Sequence, residues 1–353
     1  MSENVKTNGK PSNIKLNEIG LSKNDYRGQP TTLCAGCGHN SIANQIIAAA
    51  YELDIVPEDV IKLSGIGCSS KSPAYFLSRS FGFNSLHGRM PSVATGASFG
   101  DRRLKTIAVS GDGDTTNIGM GQFKHIIRRN VPMVYIIENN GVYGLTKGQF
   151  SATAERGLTL KYQGANPYMP VDVVEEAMAS RATFVARSFA GDASQVKALI
   201  KAALSHNGLA VLDIISPCVT FNNGDDARHS YGWGREHNEP LHDFSFVPRE
   251  EEIQVQDFTE GETRTVTLHD GGQIVLRKIE KDYDPTDRVS ALRIMEQAYT
   301  DEVMLTGLIY IEPERPSLHD VYKLPLELPL NRMTEKELRP SKASIKEVNA
   351  AMF

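Results

Sequence analysis

From about residue 40 the apolar positions of this chain switch repeatedly between a helical period and short buried runs. SIANQIIAAAYELDI (41–55) returns Ile42, Ile46, Ile47 and Tyr51 to one side about once per turn and predicts a helix. DVIKLSGIG (59–67) predicts a short strand ending in glycines, and KTIAVSGDGD (105–114) a buried strand. TTNIGMGQFKHIIRRN (115–130) gathers Met120, Phe123, Ile126 and Ile127 on one helical face, and VPMVYIIENNG (131–141) predicts a strand rich in β-branched and aromatic residues. Strand, helix and strand within about 35 residues make a βαβ unit, so the expected fold is α/β: a mostly parallel sheet flanked by helices. VDVVEEAMASRATFVARSF, ASQVKALIKAALSHNG and LAVLDIISPCVTFNN continue the series, the last as a strand running into Cys218. Three regions follow: a polar arm at 1–30, the main domain at 31–235, and an extension at 236–353 that packs on that domain or on a partner. Within the extension, ETRTVTLHDGGQIVLRKIEKDYD predicts a hairpin turning at Asp270–Gly271–Gly272, and TDRVSALRIMEQAYTDEVMLTGLIYIEP a helix and a strand.

Composition narrows the class. With 353 residues, 40% of them hydrophobic and 23% charged, the chain can bury a real core. A net charge of −5 gives no electrostatic reason to expect nucleic acid or an anionic membrane as a partner. No apolar run approaches the ~20 residues that span a bilayer, and the first residues lack the apolar centre of a secretory signal. A soluble, cytoplasmic protein is expected, in which four cysteines are too few for a disulfide framework.

The stretch VSGDGDTTNIGMGQF (109–123) sets two aspartates where a strand gives way to a helix. Glycine-rich turns at that place commonly cradle phosphate, which a bare carboxylate would repel. The dinucleotide fingerprint fails because Thr116 stands where the third glycine should be, and the lysine of a P-loop is missing. A divalent cation between carboxylate and diphosphate reverses the sign. Mg²⁺ prefers octahedral oxygen ligands, and Asp112 offers one. Twenty-eight residues later ENNGVYG offers the amide oxygen of Asn140, followed by the backbone carbonyl of Val142. Both fall at the carboxyl edge of neighbouring strands, where open α/β sheets bind ligands. The alternative is that Asp112 and Asp114 cap the helix and Asn139–Asn140–Gly141 is an ordinary turn. GDG followed at this spacing by NN resembles the magnesium and diphosphate motif of thiamine-diphosphate enzymes, with Gly111, Gly113 and Asp114 beside the cofactor.

The cysteines are Cys34 and Cys37 in TLCAGCGHN, Cys68 in GIGCSSKS and Cys218 in SPCVTF. Four thiolates suit tetrahedral zinc or a [4Fe-4S] cluster, and one close pair with two distant singles is a poor zinc-finger pattern. Buried free thiols at Cys68 and Cys218 are the plain alternative. TLCAGCGHNSI, GIGCSSKSP, LHGRMPSVATGASFG, VSGDGD, ENNGVYGLTKGQFSAT and SPCVTFNN, in that order over roughly residues 30–235, resemble the β subunit of the 2-oxoacid:ferredoxin oxidoreductases. The resemblance implies that Cys34, Cys37, Cys68 and Cys218 hold one [4Fe-4S] cluster, and that Mg²⁺ sits at Asp112, Asn140 and Val142. His39 and His87 belong to its motifs and are candidates for the cofactor pocket; a histidine satisfied locally is the alternative for each.

GLTKGQFSAT bears on substrate. Leu145 and Thr146 would follow the metal ligands onto the cofactor, and Lys147 would offer a cation to a second substrate carboxylate, favouring 2-oxoglutarate over pyruvate. The wording GLTKGQ is also similar to the 2-oxoglutarate branch of the family. Lys71 is a weaker second candidate. Thiamine activation needs a glutamate on a facing domain, and Glu138, lying on the strand before the metal loop, reads as structural. The resemblance therefore implies a separate α subunit that supplies this glutamate and much of the coenzyme A site, with ferredoxin as electron acceptor. A non-redox thiamine-dependent decarboxylase and a zinc-bound interaction protein are the rival readings.

Overall fold

The computed structural model describes residues 14–224, 227–247, 263–267, 273–278 and 283–352. In chain order the strands are β1 (Val60–Ser64), β2 (Phe81–Asn84), β3 (Lys105–Gly111), β4 (Met133–Asn139), the two-residue pairs β5 (Val142–Tyr143) with β6 (Gln149–Phe150) and β7 (Thr159–Leu160) with β8 (Gly164–Ala165), then β9 (Phe184–Phe189), β10 (Leu209–Ile215), β11 (Asn238–Pro240), β12 (His242–Val247), β13 (Thr263–Thr267), β14 (Gln273–Lys278) and β15 (Met304–Ile311). Eight of them form one sheet in the order β11-β15-β9-β10-β4-β3-β1-β2. From β2 to β9 every neighbour is parallel, whereas β15 runs antiparallel to β9.

Strand pleating sends alternate residues to opposite faces, and both faces are apolar. Val134 and Ile136 of β4 join one core with α1 (Gly38–Glu52) and α5 (Ala193–Ser205). Met133, Tyr135 and Ile137 join the other, under α2 (Met90–Gly100), α3 (Met120–Arg129), α4 (Val173–Ala179) and α7 (Arg288–Thr300). Phe123, Ile126 and Ile127 of α3 are buried as their spacing requires, and each such side chain contributes roughly 1.5–3 kcal/mol by leaving water. The helix expected from Thr115 begins differently: Asp114–Ile118 forms a wider π turn, and α3 starts after Gly119, whose backbone packs against Gly88.

The extension beyond residue 235 is not a separate layer. Its β15 supplies a strand to the main sheet and its α7 covers β15. The arm is also partly built in, since Tyr26 is wholly buried and its hydroxyl accepts a 2.8 Å hydrogen bond from Asn17. β13 and β14 pair antiparallel as the hairpin reading requires, while the turn at Asp270–Gly271–Gly272 lies outside the described residues.

The sheet order fixes where a site can form. The chain passes from β1 outward to β2, then back across to β3 on the other side of β1, so the order reverses between β1 and β3. A crevice opens at the carboxyl ends of strands at such a point.

Candidate active site

Parallel register brings four strand ends to one rim: Ser64 pairs with Val109, Gly111 with Glu138, and Asn139 with Ile215. The residues that leave these strands, Gly65–Cys68, Asp112, Asn140 and Ser216–Cys218, therefore emerge side by side. A cleft opens there, lined among others by His39, Cys68, Asp112, Glu138, Asn140 and Leu145. A larger cavity lies between the ends of β4, β9 and β10 and α7. The motif residues converge on the smaller cleft.

On one side of the cleft Asp112 is buried among donors. Oδ2 accepts hydrogen bonds from the hydroxyls of Ser151 and Thr153, the latter at 2.8 Å, and the Asn140 amide nitrogen stands 3.4 Å from Oδ1. Among the described residues no cationic side chain pairs with Asp112; its buried carboxyl is surrounded by hydroxyl and amide donors. The Asn140 side chain, with Oδ1 taking the Val142 N–H at 3.0 Å, supplies the second oxygen donor beside it. These are hard oxygen ligands of the kind a divalent cation takes.

Asp114 does something else. Its carboxylate is bonded to His87 Nδ1, to the Gly88 N–H at 2.8 Å and to the Ser110 hydroxyl at 2.7 Å. It ties the 85–88 loop to the end of β3, and it is absent from the cleft wall that Gly111, Asp112 and Gly113 share with His87. Of the two aspartates in one turn, one faces the cleft and the other holds the turn together.

The opposite side carries the cysteines. Gly38, the first residue of α1, packs so closely on β10's exit that a side chain there would meet Ser216 Oγ at 2.5 Å, and its N–H reaches Pro217 O at 3.2 Å. This seats Cys37 against the Pro217–Cys218 backbone. A Cβ on Gly144 would lie 3.4 Å from Cys68 Sγ and 3.7 Å from Cys218 Sγ, so both sulfurs approach the same bare backbone. Thr220 Oγ1 lies 3.6 Å from Cys34 Sγ. Burial pushes the Cys37 thiol up to about 12, with added repulsion from Glu138, Cys218 and Cys68, and burial likewise raises Cys68. The four cysteines are free, and among the described residues no three His, Cys, Asp or Glu side chains stand close enough to share one metal ion as they are.

Between the two sides lie His39 and Glu138. His39 Nδ1 bonds Ser216 Oγ at 2.6 Å, its Nε2 stands 3.4 Å from Asn140 Nδ2, and burial pushes it down to about 4. Glu138 is wholly buried, takes the Ser72 hydroxyl on both oxygens at 3.0 and 2.9 Å, and is raised by burial well above the usual carboxylate range. It is held by Ser72 and by His39 at 3.5 Å, as a structural acid would be.

Of the residues expected for substrate, Leu145 and Thr146 line the cleft, whereas Lys147 does not. Lys147 is exposed at the tip of the β5–β6 hairpin with φ of +76°. Sequence reasoning passed over Ser151, Thr153, Asn139 and His229, which back the Asp112 side. For Asn139, Ser151 and Thr153 only their inclusion in ENNGVYG and GQFSAT hinted at a role, and His229 stands in neither motif.

The C-terminal TPP-binding domain of the thiamine pyrophosphate enzymes matches residues 65–214. A 2-oxoacid:ferredoxin oxidoreductase β subunit from Sulfolobus sp. is 44% identical over 191 residues, 54% of this chain and 63% of that one. The 2-oxoglutarate oxidoreductase subunit KorB of Mycobacterium tuberculosis is 38% identical over 200 residues, 56% of this chain and 52% of its own length. The matches thus span between about half and two thirds of those relatives. The 2-oxoglutarate synthase subunit KorB of Methanocaldococcus jannaschii is 36% identical over 196 residues, 54% of this chain and 71% of that one. This chain belongs to the β-subunit family of the 2-oxoacid:ferredoxin oxidoreductases. Its fold is that of the solved 2-oxoglutarate:ferredoxin oxidoreductase from Magnetococcus marinus, a structure with 2-oxoglutarate, coenzyme A and succinyl-CoA bound: TM-score 0.73, 29% identity, covering 95% of this chain and 98% of that one. The matched residues begin at Gly65, directly after β1, and end within β10, so they include Cys68, Asp112 and Asn140 on the cleft wall.

Proposed function

We propose that this chain is the β subunit of a cytoplasmic 2-oxoglutarate:ferredoxin oxidoreductase, which converts 2-oxoglutarate and coenzyme A to succinyl-CoA and CO₂ and passes the electrons to ferredoxin. One observation carries the reading: the loop 140–146 meets Asp112 at one end and at the other runs past the sulfurs of Cys68 and Cys218, which stand where a side chain on Gly144 would reach them. Thiamine diphosphate, when bound, supplies the carbon that lets a 2-oxoacid lose CO₂, and a [4Fe-4S] cluster takes up electrons singly.

Asp112, the Asn140 amide oxygen and the Val142 carbonyl would hold Mg²⁺ against the diphosphate, with Gly111 and Gly113 letting the backbone come close. Cys34, Cys37, Cys68 and Cys218 would hold the cluster. Burial disfavours bare thiolates at Cys37 and Cys68, and the positive charge of iron would restore them. His39, neutral between Ser216 and Asn140, keeps the metal loop in place without adding charge. Leu145 and Thr146 would face the cofactor, and Lys147 on its exposed turn is the cation offered to the second carboxylate of a dicarboxylate substrate. The activating glutamate and much of the coenzyme A site are assigned to an α subunit, because Glu138, the one other acid on the cleft wall among the described residues, is committed to Ser72 and His39.

A tagged copy of this chain should bring down a second subunit together with iron, acid-labile sulfide and thiamine diphosphate, and the complex should reduce ferredoxin faster on 2-oxoglutarate than on pyruvate. Zinc in place of iron, or a colourless protein without sulfide, would overturn the redox reading. Lys147→Ala should lower kcat/KM for 2-oxoglutarate by about tenfold or more, as loss of a charge-assisted hydrogen bond would. Equal rates for variant and parent would remove Lys147 from substrate recognition.

A further inference from the structure

Resting on the Asp112 side being a metal site, we propose that Thr153 and Asn139 are positioning residues that decide which oxygen of Asp112 faces the metal. The β5–β6 hairpin folds the chain back behind Asp112, and the Ser151 N–H is pinned to Gly141 O at 3.0 Å. Thr153 Oγ1 then lies 2.8 Å from Asp112 Oδ2 and 2.9 Å from Asn139 Oδ1, with Ser151 Oγ at 2.8 Å. Thr153 has one hydroxyl proton. Shared between Asp112 Oδ2 and Asn139 Oδ1, that proton acts together with the Ser151 hydroxyl, so Oδ2 is held by two donors on two directions and the carboxyl plane is fixed only while both are present. Oδ2 is then taken, and Oδ1, with only the 3.4 Å contact from the Asn140 N–H, is left to the cation.

Asn139 does not swing free to spoil this. Its Nδ2 donates to Asp213 Oδ1 at 3.0 Å, which turns Oδ1 toward Thr153 and toward His229 Nε2 at 3.1 Å. Asp213 is gripped by Arg187 Nε at 3.0 Å, and Arg187 Nη2 lies 2.6 Å from each oxygen of Asp172. A buried ion-pair network at the end of β9 and β10 thereby anchors a hydroxyl behind the metal loop. Mg²⁺ demands near-octahedral geometry, so a carboxylate free to rotate would bind it less well. Outer partners of this kind are commonly worth 10–100-fold in metal affinity.

The test uses the complex as isolated, stripped of magnesium by chelation and kept in excess thiamine diphosphate, with Mn²⁺ titrated and its free signal read by electron paramagnetic resonance. Thr153→Val should weaken Mn²⁺ binding about tenfold or more, Thr153→Ser should stay within about threefold of the parent, and Asp112→Asn should abolish tight binding. If Asp112→Asn abolishes binding but Thr153→Val binds like the parent, the positioning role is wrong and the metal site stands. If Asp112→Asn itself binds like the parent, the metal site is wrong. Should Thr153→Val fail to fold by thermal melting, Ser151→Ala removes the other hydroxyl from the same oxygen, and unaltered Mn²⁺ affinity there overturns the proposal.

Discussion

The two sides of the cleft are both buried and both polar, yet they handle charge in opposite ways. Behind Asp112 a cation is fixed among acids: Arg187 stands between Asp172 and Asp213, and Asp112 itself keeps hydroxyl and amide donors around it. Around the cysteines the groups are held neutral: Cys37 is pushed up to about 12, His39 down to about 4, and Glu138 well up, in each case mainly by burial. Low dielectric is common to both, so the difference lies in partners. A fixed guanidinium makes the buried carboxylates it touches tolerable, whereas burial without such a partner favours the uncharged form. One side thus sets hard oxygen donors around the Asp112 carboxyl, and the other sets soft sulfurs among groups that burial holds neutral.

The largest expected effect tests the neutral side. Cys218→Ser should cost the complex its cluster, read as lost visible absorbance and lost ferredoxin reduction, while bound thiamine diphosphate remains. A variant that keeps full iron and sulfide would remove Cys218 from the cluster site. Next comes Glu138→Gln, which leaves a neutral isostere on Ser72. A folded-state pKa raised above the unfolded value gives stability that is present at low pH and lost as pH rises. Parent and variant should therefore melt alike near pH 4, and the variant should gain by up to about 1.4 kcal/mol per pH unit above that, until the Glu138 carboxyl ionises in the fold. A gap that closes with rising pH would mean that Glu138 belongs to the ionic side.

A smaller effect tests the backbone on the metal side. The Tyr143 ring lies against Gly113, with its hydroxyl donating to Gly113 O at 2.9 Å, and a Cβ there would stand 2.5 Å from a ring carbon. Gly113→Ala should destabilise by ~1–3 kcal/mol in thermal melts. Gly121, on the first turn of α3 with nothing within 4 Å of its Cβ position, is the control: Gly121→Ala should stabilise by ~0.5–1 kcal/mol. If both changes cost alike, close packing is not what the GDG turn requires.

The sheet and the rim were legible in sequence because local pattern determines them. Helical spacing marked α1 and α3, continuous apolar runs marked β3 and β4, and parallel register does the rest, carrying Asp112 and Asn140 to neighbouring strand ends. What was not legible depends on tertiary direction. Nothing local distinguishes Asp112 from Asp114, since the choice is made by His87 and Gly88 arriving from the loop after β2. Nor does spacing announce that Thr153 folds back behind Asp112, that Asn139 is held by Asp213, or that a strand from beyond residue 300 completes the sheet. Lys147 shows the same limit, because its chemistry is plain but the outward tilt of its hairpin is set by a turn with two left-handed residues, Lys147 and Gly148.

Gly144 sits two residues past Val142 and beneath both Cys68 and Cys218. A strap this short cannot slacken at one buckle and stay taut at the other. On the proposed reading, Asp112, Asn140 and Val142 would hold magnesium on the same strap that Cys68 and Cys218 flank, so a chelated preparation should bleach sooner than one stored with the ion.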